Sequence, residues 1–270
     1  VRGVLKDITL GQYFPGDSVL HRLDPRTKLI WTVIYIVGLF SAKYFISYAV
    51  VGILLLACVA ISRVGLRAMV SGIKPVLIVL VITALLNLFY TPGEPIFTIW
   101  KLSVSREGVF AAIFMLFRIL LLIMGTFLLT YTTSPILLTD GLESLLGPLK
   151  RLRVPVHELS MMMSIALRFI PTLIEETDKI MSAQKARGAD FESGGLFQRA
   201  KALLPILVPL FVSAFRRADE LAVAMECRCY HGGKGRTRLK NLRYERRDIL
   251  AFLLGAVFLA VIFTLGKFGL

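Results

Sequence analysis

Two arginines stand where a protein could grip another protein. Arg187 lies in Ser182-Ala183-Gln184-Lys185-Ala186-Arg187-Gly188-Ala189-Asp190, and Arg228 in Ala222-Val223-Ala224-Met225-Glu226-Cys227-Arg228-Cys229-Tyr230-His231-Gly232. Each closes a stretch with helical periodicity. Each has an alanine four residues earlier, Ala183 and Ala224, on the same helix face. Both run into glycine soon afterwards, the chemistry of a helix C-terminus. Small flanks let such a tip approach a partner closely, and a guanidinium forks onto a carboxylate through two parallel hydrogen bonds. Two tips imply two acidic sockets.

The elements that must carry these tips belong to a membrane protein. Hydrophobic residues make up 56% of the 270, and the mean hydropathy is +0.72. Both are far above a soluble domain and point to several membrane spans. Apolar runs predict spans at 29–41, 44–62, 75–90, 108–131 and 249–265. The first 28 residues are polar and hold no apolar core of the length a cleavable signal peptide needs. Asp24-Pro25 reads as a turn or helix start. Arg63, Arg67 and Lys74 mark an interfacial helix or loop, and residues 91–107 read as a loop around Pro92, Gly93 and Pro95. The formal net charge is +14, which in a soluble protein would suggest nucleic acid. Here 27 of the 32 Lys and Arg fall in residues 1–28, 62–75 and 132–247. Four spans before residue 132 put all three regions on one side, the cytoplasm by the positive-inside rule. The charge is then accounted for without nucleic acid, and no recognition module for it is present.

The chain divides by composition into a cytoplasmic segment at 1–28, a four-span membrane part at 29–131, a cytoplasmic part at 132–247 and a final span at 248–270. The expected fold class is an all-α integral membrane protein of about five transmembrane helices. It carries a cytoplasmic domain of long crossed amphipathic helices. Val156–Ala186 places Leu159, Met163, Ala166, Ile170, Leu173 and Ile174 on an apolar stripe, with a kink expected at Pro171. Residues 200–228 repeat the design with Leu203, Leu207, Leu210, Phe211, Ala214, Ala218, Leu221, Ala222 and Met225.

Catalytic machinery is missing. Gly232-Gly233-Lys234-Gly235-Arg236-Thr237 imitates a phosphate loop, but the glycine required five residues before Gly233 is Arg228. Neither His-Glu-x-x-His nor Gly-x-Ser-x-Gly occurs. Cys227, Cys229 and His231 would give three zinc ligands, but no fourth lies at a recognisable spacing and Arg228 opposes a cation. Cys58 reads as a small hydrophobe. His157-Glu158 suits a helix-start cap region or a surface pair. Three consecutive methionines, Met161 to Met163, point in different directions and suit plastic packing. Asp140, Glu143, Glu158, Glu175 and Glu176 fall outside the spans and do not form a proton path. Arg118, inside the fourth apolar run, reads as a structural pair with a polar group on another helix rather than as a substrate contact. No metal and no cofactor is expected, and the chain reads as a coupler rather than an enzyme.

Taken together, Tyr13 after Gly11-Gln12, His21-Arg22-Leu23-Asp24-Pro25-Arg26-Thr27-Lys28, Ala166-Leu167-Arg168-Phe169-Ile170-Pro171 followed by Glu175, and the two arginine segments carry a resemblance. Over nearly its whole length the chain resembles the T component of energy-coupling factor (ECF) transporters, the EcfT scaffold. The resemblance implies docking of two arginine-centred motifs, Ala186-Arg187-Gly188 and Cys227-Arg228-Cys229, into two ATP-binding-cassette (ABC) ATPases. Arg168, Pro171, Glu175, Ala183, Ala224 and Glu226 would support the coupling helices. The second motif departs from the commoner Ala-Arg-Gly form. An apolar face of the coupling helices would hold a membrane S component that captures a vitamin or metal ion in a prokaryotic cell membrane. The competing class is an ion-coupled secondary transporter with its own midplane site, for which Arg118 and Asn87 are the main intramembrane polar residues.

The orientation is testable directly. A cysteine introduced by Lys240→Cys should react with a membrane-impermeant maleimide only from the cytoplasmic face of sealed vesicles. Labelling from the outer face would reverse the assignment.

Overall fold

The computed structural model describes residues 13–92, 95–99, 102–191, 195–232 and 242–268. Gly11-Gln12 and the run 233–237 lie outside these. Contacts divide the described chain into a unit of residues up to 145 with those from 242 onward, and a second unit drawn from 146–240.

The first unit begins at α1 (Pro25–Ser41). Its N-cap is Asp24, which accepts from the Arg26 amide, and Pro25 sits at the first helical position where its missing N–H costs nothing. After a short turn follow α2 (Phe45–Ser62), α3 (Leu66–Ile73), a 3-10 turn at Lys74–Val76 and α4 (Leu77–Tyr90). The basic stretch at 63–74 is therefore largely helical. Next come β1 (Pro95–Ile99) and β2 (Leu102–Ser105), an antiparallel hairpin pairing Ile99 with Leu102, where sequence suggested an irregular loop. The helices α5 (Arg106–Thr132), α6 (Pro135–Leu145) and α10 (Arg246–Phe268) complete the unit.

Helix α5 is the spine. The α3–α4 segment runs antiparallel along it, from the Tyr131 hydroxyl donating to the Ala68 carbonyl at 3.3 Å to Gly108 packed against the Leu88 carbonyl. Helices α1 and α2 cover it from its C-terminal end as far as Phe114. Lys28 meets Thr132, Tyr35 donates to the Leu121 carbonyl at 2.8 Å, and Tyr48 stacks on Phe114. Gly125 makes this approach possible, since a Cβ there would lie 2.3 Å from the Tyr35 ring. Helix α10 runs parallel to α1; the Trp31 indole donates to the Ala251 carbonyl at 2.6 Å, and Phe258 packs onto Gly38. Leu39, Val51 and Ile262 are fully buried at the centre.

Among the described residues four helices are long and apolar enough to cross a membrane, at Phe45–Ser62, Ala68–Tyr90, Arg106–Thr132 and Arg246–Phe268. The fifth expected span corresponds to α1, which at 17 residues is shorter. The all-α architecture holds, with the hairpin as its single addition among the described residues. Helix α6, placed by composition with the cytoplasmic part, packs against α1 within the membrane unit.

One end of the unit is knotted by polar groups. Asp248, 1% exposed, accepts the Asp24 amide at 3.0 Å and the Glu245 amide at 2.8 Å. Arg26 grips Asp24 through Nε and Nη2 at 3.0 and 2.8 Å, reaches Ser144 at 3.3 Å and covers the Tyr244 ring. Lys28 spends its three protons on the carbonyls of His21 and Thr132 and on Thr133 Oγ1, at 3.0 to 3.2 Å. His21 donates from Nε2 to the Phe14 carbonyl at 3.0 Å, so its Nδ1 accepts from Ser18, 2.6 Å away. The start of α1, the end of α5 and the start of α10 thus share one level.

Arg118 lies level with the α1–α2 turn. Its Nε donates to the Tyr48 hydroxyl at 2.8 Å and its Nη2 to the Ala42 carbonyl at 3.3 Å. It bridges α5 to the hairpin tip as an interhelical pair.

Replacing Asp248 by Ala would strand two buried amides. Thermal unfolding in detergent should reveal a loss of about 2–4 kcal/mol, with Asp248→Asn, which keeps one acceptor, losing less.

Candidate functional site: two arginine-tipped helices

The second unit holds a 3-10 turn at Gly147–Leu152, α7 (Val156–Ala186), α8 (Leu196–Ala202) and α9 (Leu204–Cys227). Helix α7 carries Pro171 in its interior and α9 carries Pro209. Each proline removes one i→i−4 hydrogen bond, in helices otherwise 31 and 24 residues long.

Both helices end on their arginine by the same device. Arg187 is the C-cap of α7; the Gly188 amide returns to the Lys185 carbonyl and the Ala189 amide to the Gln184 carbonyl, each at 3.0 Å. Arg228 is the C-cap of α9, with Cys229 N–H on the Glu226 carbonyl at 2.8 Å and Tyr230 N–H on the Met225 carbonyl at 3.0 Å. This is the paired closure of a Schellman motif, which satisfies the last free carbonyls and turns the chain sharply away. The left-handed residue at the first tip is Gly188, at φ 87°. At the second it is Cys229, at φ 55°, and not a glycine: Gly232, also at positive φ, comes three residues later. The expected glycine stop is therefore replaced there by a side-chain-bearing residue in a conformation that favours glycine.

Arg187 and Arg228 are exposed, and among the described residues neither side chain has a hydrogen bond or ion pair. Ala183, Ala186 and Gly188 around the first and Ala224, Glu226, Cys227 and Cys229 around the second are exposed too. Arg168, Pro171 and Glu175 are exposed on α7, a row spaced at three and four residues. The two tips do not converge. Glu176 meets Ser213 and Arg217, while Gln184 reaches the Pro205 carbonyl at 3.5 Å. Helices α7 and α9 therefore run antiparallel where they touch. Arg187 lies just beyond that contact, whereas Arg228 lies 23 residues past Pro205, on the order of 30 Å away along α9 at 1.5 Å per residue.

Sequence reasoning missed what joins the helices. The Glu176 carboxylate takes Arg217 Nη2 at 2.7 Å and accepts the Ser213 hydroxyl. Met181, Phe191 and Ile206 form a small buried cluster, with Ile206 next in the chain to the Pro205 that meets Gln184. The available signal was Ser213 and Arg217 spaced four apart within an apolar stripe. The stripe itself is corrected: the side of α9 that is at least half covered holds Ile206, Leu210, Ala214, Leu221 and Met225, while Leu203, Leu207, Phe211, Ala218 and Ala222 are exposed. Val208, Val212 and Phe215 join Phe211 on the open side, at 60 to 69% exposure. The helix has more apolar surface than α7 alone can cover.

The family model described as CbiQ, cobalt transport protein, matches residues 16–239, which contain both tips. The chain belongs to the CbiQ/EcfT family. A protein of Clostridium kluyveri named "Energy-coupling factor transporter transmembrane protein EcfT" is 56% identical over 261 residues, covering 96% of each chain. A protein of the same name from Thermosediminibacter oceani is 55% identical over 249 residues, 92% of this chain and 94% of the relative. One from Lactococcus lactis subsp. cremoris is 44% identical over 247 residues, 91% and 93% respectively. As a CbiQ/EcfT member with long apolar helices, the protein is a membrane-embedded transporter component.

Cys229→Gly should relax the second cap. Removing the Cβ from the left-handed position is worth about 1 kcal/mol, so amide exchange at residues 229 and 230 should slow roughly fivefold when followed by mass spectrometry; unchanged exchange would show the cap to be unstrained.

Proposed function

We propose that this CbiQ/EcfT member is the non-catalytic coupling subunit of an ATP-driven ECF importer in a prokaryotic cell membrane. Arg187 and Arg228 each seat in one of two separate ABC-type ATPases. The observation that carries the reading is the matched closure of α7 and α9, which leaves two unpaired arginines at well-separated tips of one antiparallel pair. A C-cap arginine whose fork of N–H donors is left open rewards an acidic socket that completes the guanidinium's hydrogen bonds. Separation favours two partners over one.

The open apolar side of α9, with Val208, Phe211, Val212 and Phe215, supports a role in holding a membrane S component that brings the vitamin or metal ion. Glu176 and Arg217 would make the helix pair a stiff lever between ATPases and S component. The shared level of the α1 start, α5 end and α10 start supports an arrangement in which α1 is the fifth span and the basic segments face the cytoplasm. The rival secondary-transport reading gains no support from its polar residues. Arg118 is engaged by Tyr48 and Ala42, and Asn87 donates to the Thr83 carbonyl of its own helix at 2.9 Å.

Truncating either arginine should remove about 2–5 kcal/mol of docking, since its carboxylate partner is left unpaired. Arg187→Ala or Arg228→Ala should lower ATPase co-purification and uptake by at least about tenfold. Lysine should rescue partially, because it keeps charge but loses the fork. The double Arg→Glu variant should be worse than either single change, since two docking points tether one complex. Normal assembly and uptake by that double variant would overturn the assignment.

A further inference from the structure

The knotted end of the membrane unit encloses a cavity of about 350 Å³ between α1, α2, α5 and α10, within the range of small-ligand pockets. On each helix it extends over seven or eight residues, from Lys28 to Tyr35, Leu54 to Ile61, Gly125 to Thr132 and Arg247 to Leu254. That is two helical turns, about 10 Å. Its depth is formed by buried Tyr35, Leu55, Leu128 and Ala251. Its rim is Ile61 on α2 and Leu250 and Leu254 on α10, 49 to 61% exposed. An opening edged by exposed aliphatic side chains, on helices long enough to cross a bilayer, faces hydrocarbon and not water.

The charged groups gather at one end. Lys28, Thr132 and Arg247 line the cavity there beside Val19, Leu20 and Leu23, while further along Thr32 and Tyr35 have their hydroxyls bonded to the Lys28 and Leu121 carbonyls and the rest of the lining is apolar. Lys28 has no donor to spare, as its three protons are already taken. Arg247 has. Its side chain is 48% exposed, and its one ion pair, to Glu245, is 3.8 Å long. Arg246 and Arg243 are exposed beside it. A slot about 10 Å long, basic at its membrane-surface end and mainly apolar beyond it, has the polarity of a phospholipid held head-out. Basic pockets between transmembrane helices are where anionic head groups bind. We infer that this cavity is a binding site for one anionic phospholipid, one of its acyl chains lying between α1, α2, α5 and α10 and its phosphate on Arg247. A bound chain there would fill space behind the Asp24–Arg26–Asp248 knot and brace α10 against α2.

Cys58 lines the same cavity and is partly buried, which gives a reporter without mutation. The full chain, purified in mild detergent, is titrated with phosphatidylglycerol or phosphatidylcholine. Bound lipid is counted by native mass spectrometry, and Cys58 alkylation by N-ethylmaleimide is followed at peptide level. The expected result is one retained phosphatidylglycerol per chain, slower alkylation of Cys58 with that lipid, and no protection by glycerol phosphate. Arg247→Gln should weaken phosphatidylglycerol retention roughly fivefold, the effect of one basic residue at a membrane surface, leaving phosphatidylcholine unaffected. Cys58→Phe should abolish retention of both lipids. If that variant does not fold, protection of Cys58 in the unaltered chain decides. Absence of retained lipid, a Cys58 thiol equally reactive with and without lipid, or equal protection by glycerol phosphate would overturn the proposal.

Discussion

The membrane unit hangs on one buried carboxylate. Asp248 accepts two backbone amides from segments 224 and 3 residues away, one from the N-cap of α1 and one from the residue that precedes its own helix. Charge-assisted bonds of this kind are about twice as strong as neutral ones, and burial makes either partner costly to lose. Asp24 is shared between this contact and Arg26, and Lys28 extends the network to the end of α5. The start of the chain, its last helix and its spine are consequently fixed at one level before any apolar packing is considered. Core contacts such as Tyr35 on Gly125 and Phe258 on Gly38 then follow from helices already in register.

This explains which parts of the fold were legible. The start at Asp24-Pro25 and the apolar character of 45–62, 106–132 and 246–268 were readable because composition and capping chemistry are local, whereas the count of spans was not: five were expected and four described helices are long and apolar enough. The partners in the segment from His21 to Lys28 were not. Asp248 pairs with Asp24 across almost the entire chain, and no periodicity encodes that distance. Arg118 was read correctly as a pair with another helix, but its partners, a tyrosine hydroxyl and a backbone carbonyl, carry no charge signature.

At the arginine tips, identity was legible and geometry only in part. Ala183 and Ala224 one turn before each arginine signalled small-flanked helix ends, and both ends do close at Arg187 and Arg228. The choice of Cys229 as the left-handed residue was hidden, because a glycine nearby, Gly232, offered the expected alternative. The face of α9 that meets α7 was hidden for a different reason. With large apolar residues on both sides of the helix, the period alone does not say which side is covered, and Glu176 with Ser213 and Arg217 settles it.

The unequal lengths along α5 bear on the surrounding lipid. Helix α1, at 17 residues, is about 25 Å long, whereas α5, at 27, is about 40 Å. A hydrocarbon core is about 30 Å thick. On the flank where α1 and α2 stop near Phe114 and Arg118, lipid tails shorten or tilt to match; beside α4 and the first turns of α5 they need not. Such a mismatch carries a modest cost per ångström. This unit therefore offers its lipid helices of unequal length, and a membrane neighbour that prefers thinner lipid is favoured beside the shorter α1.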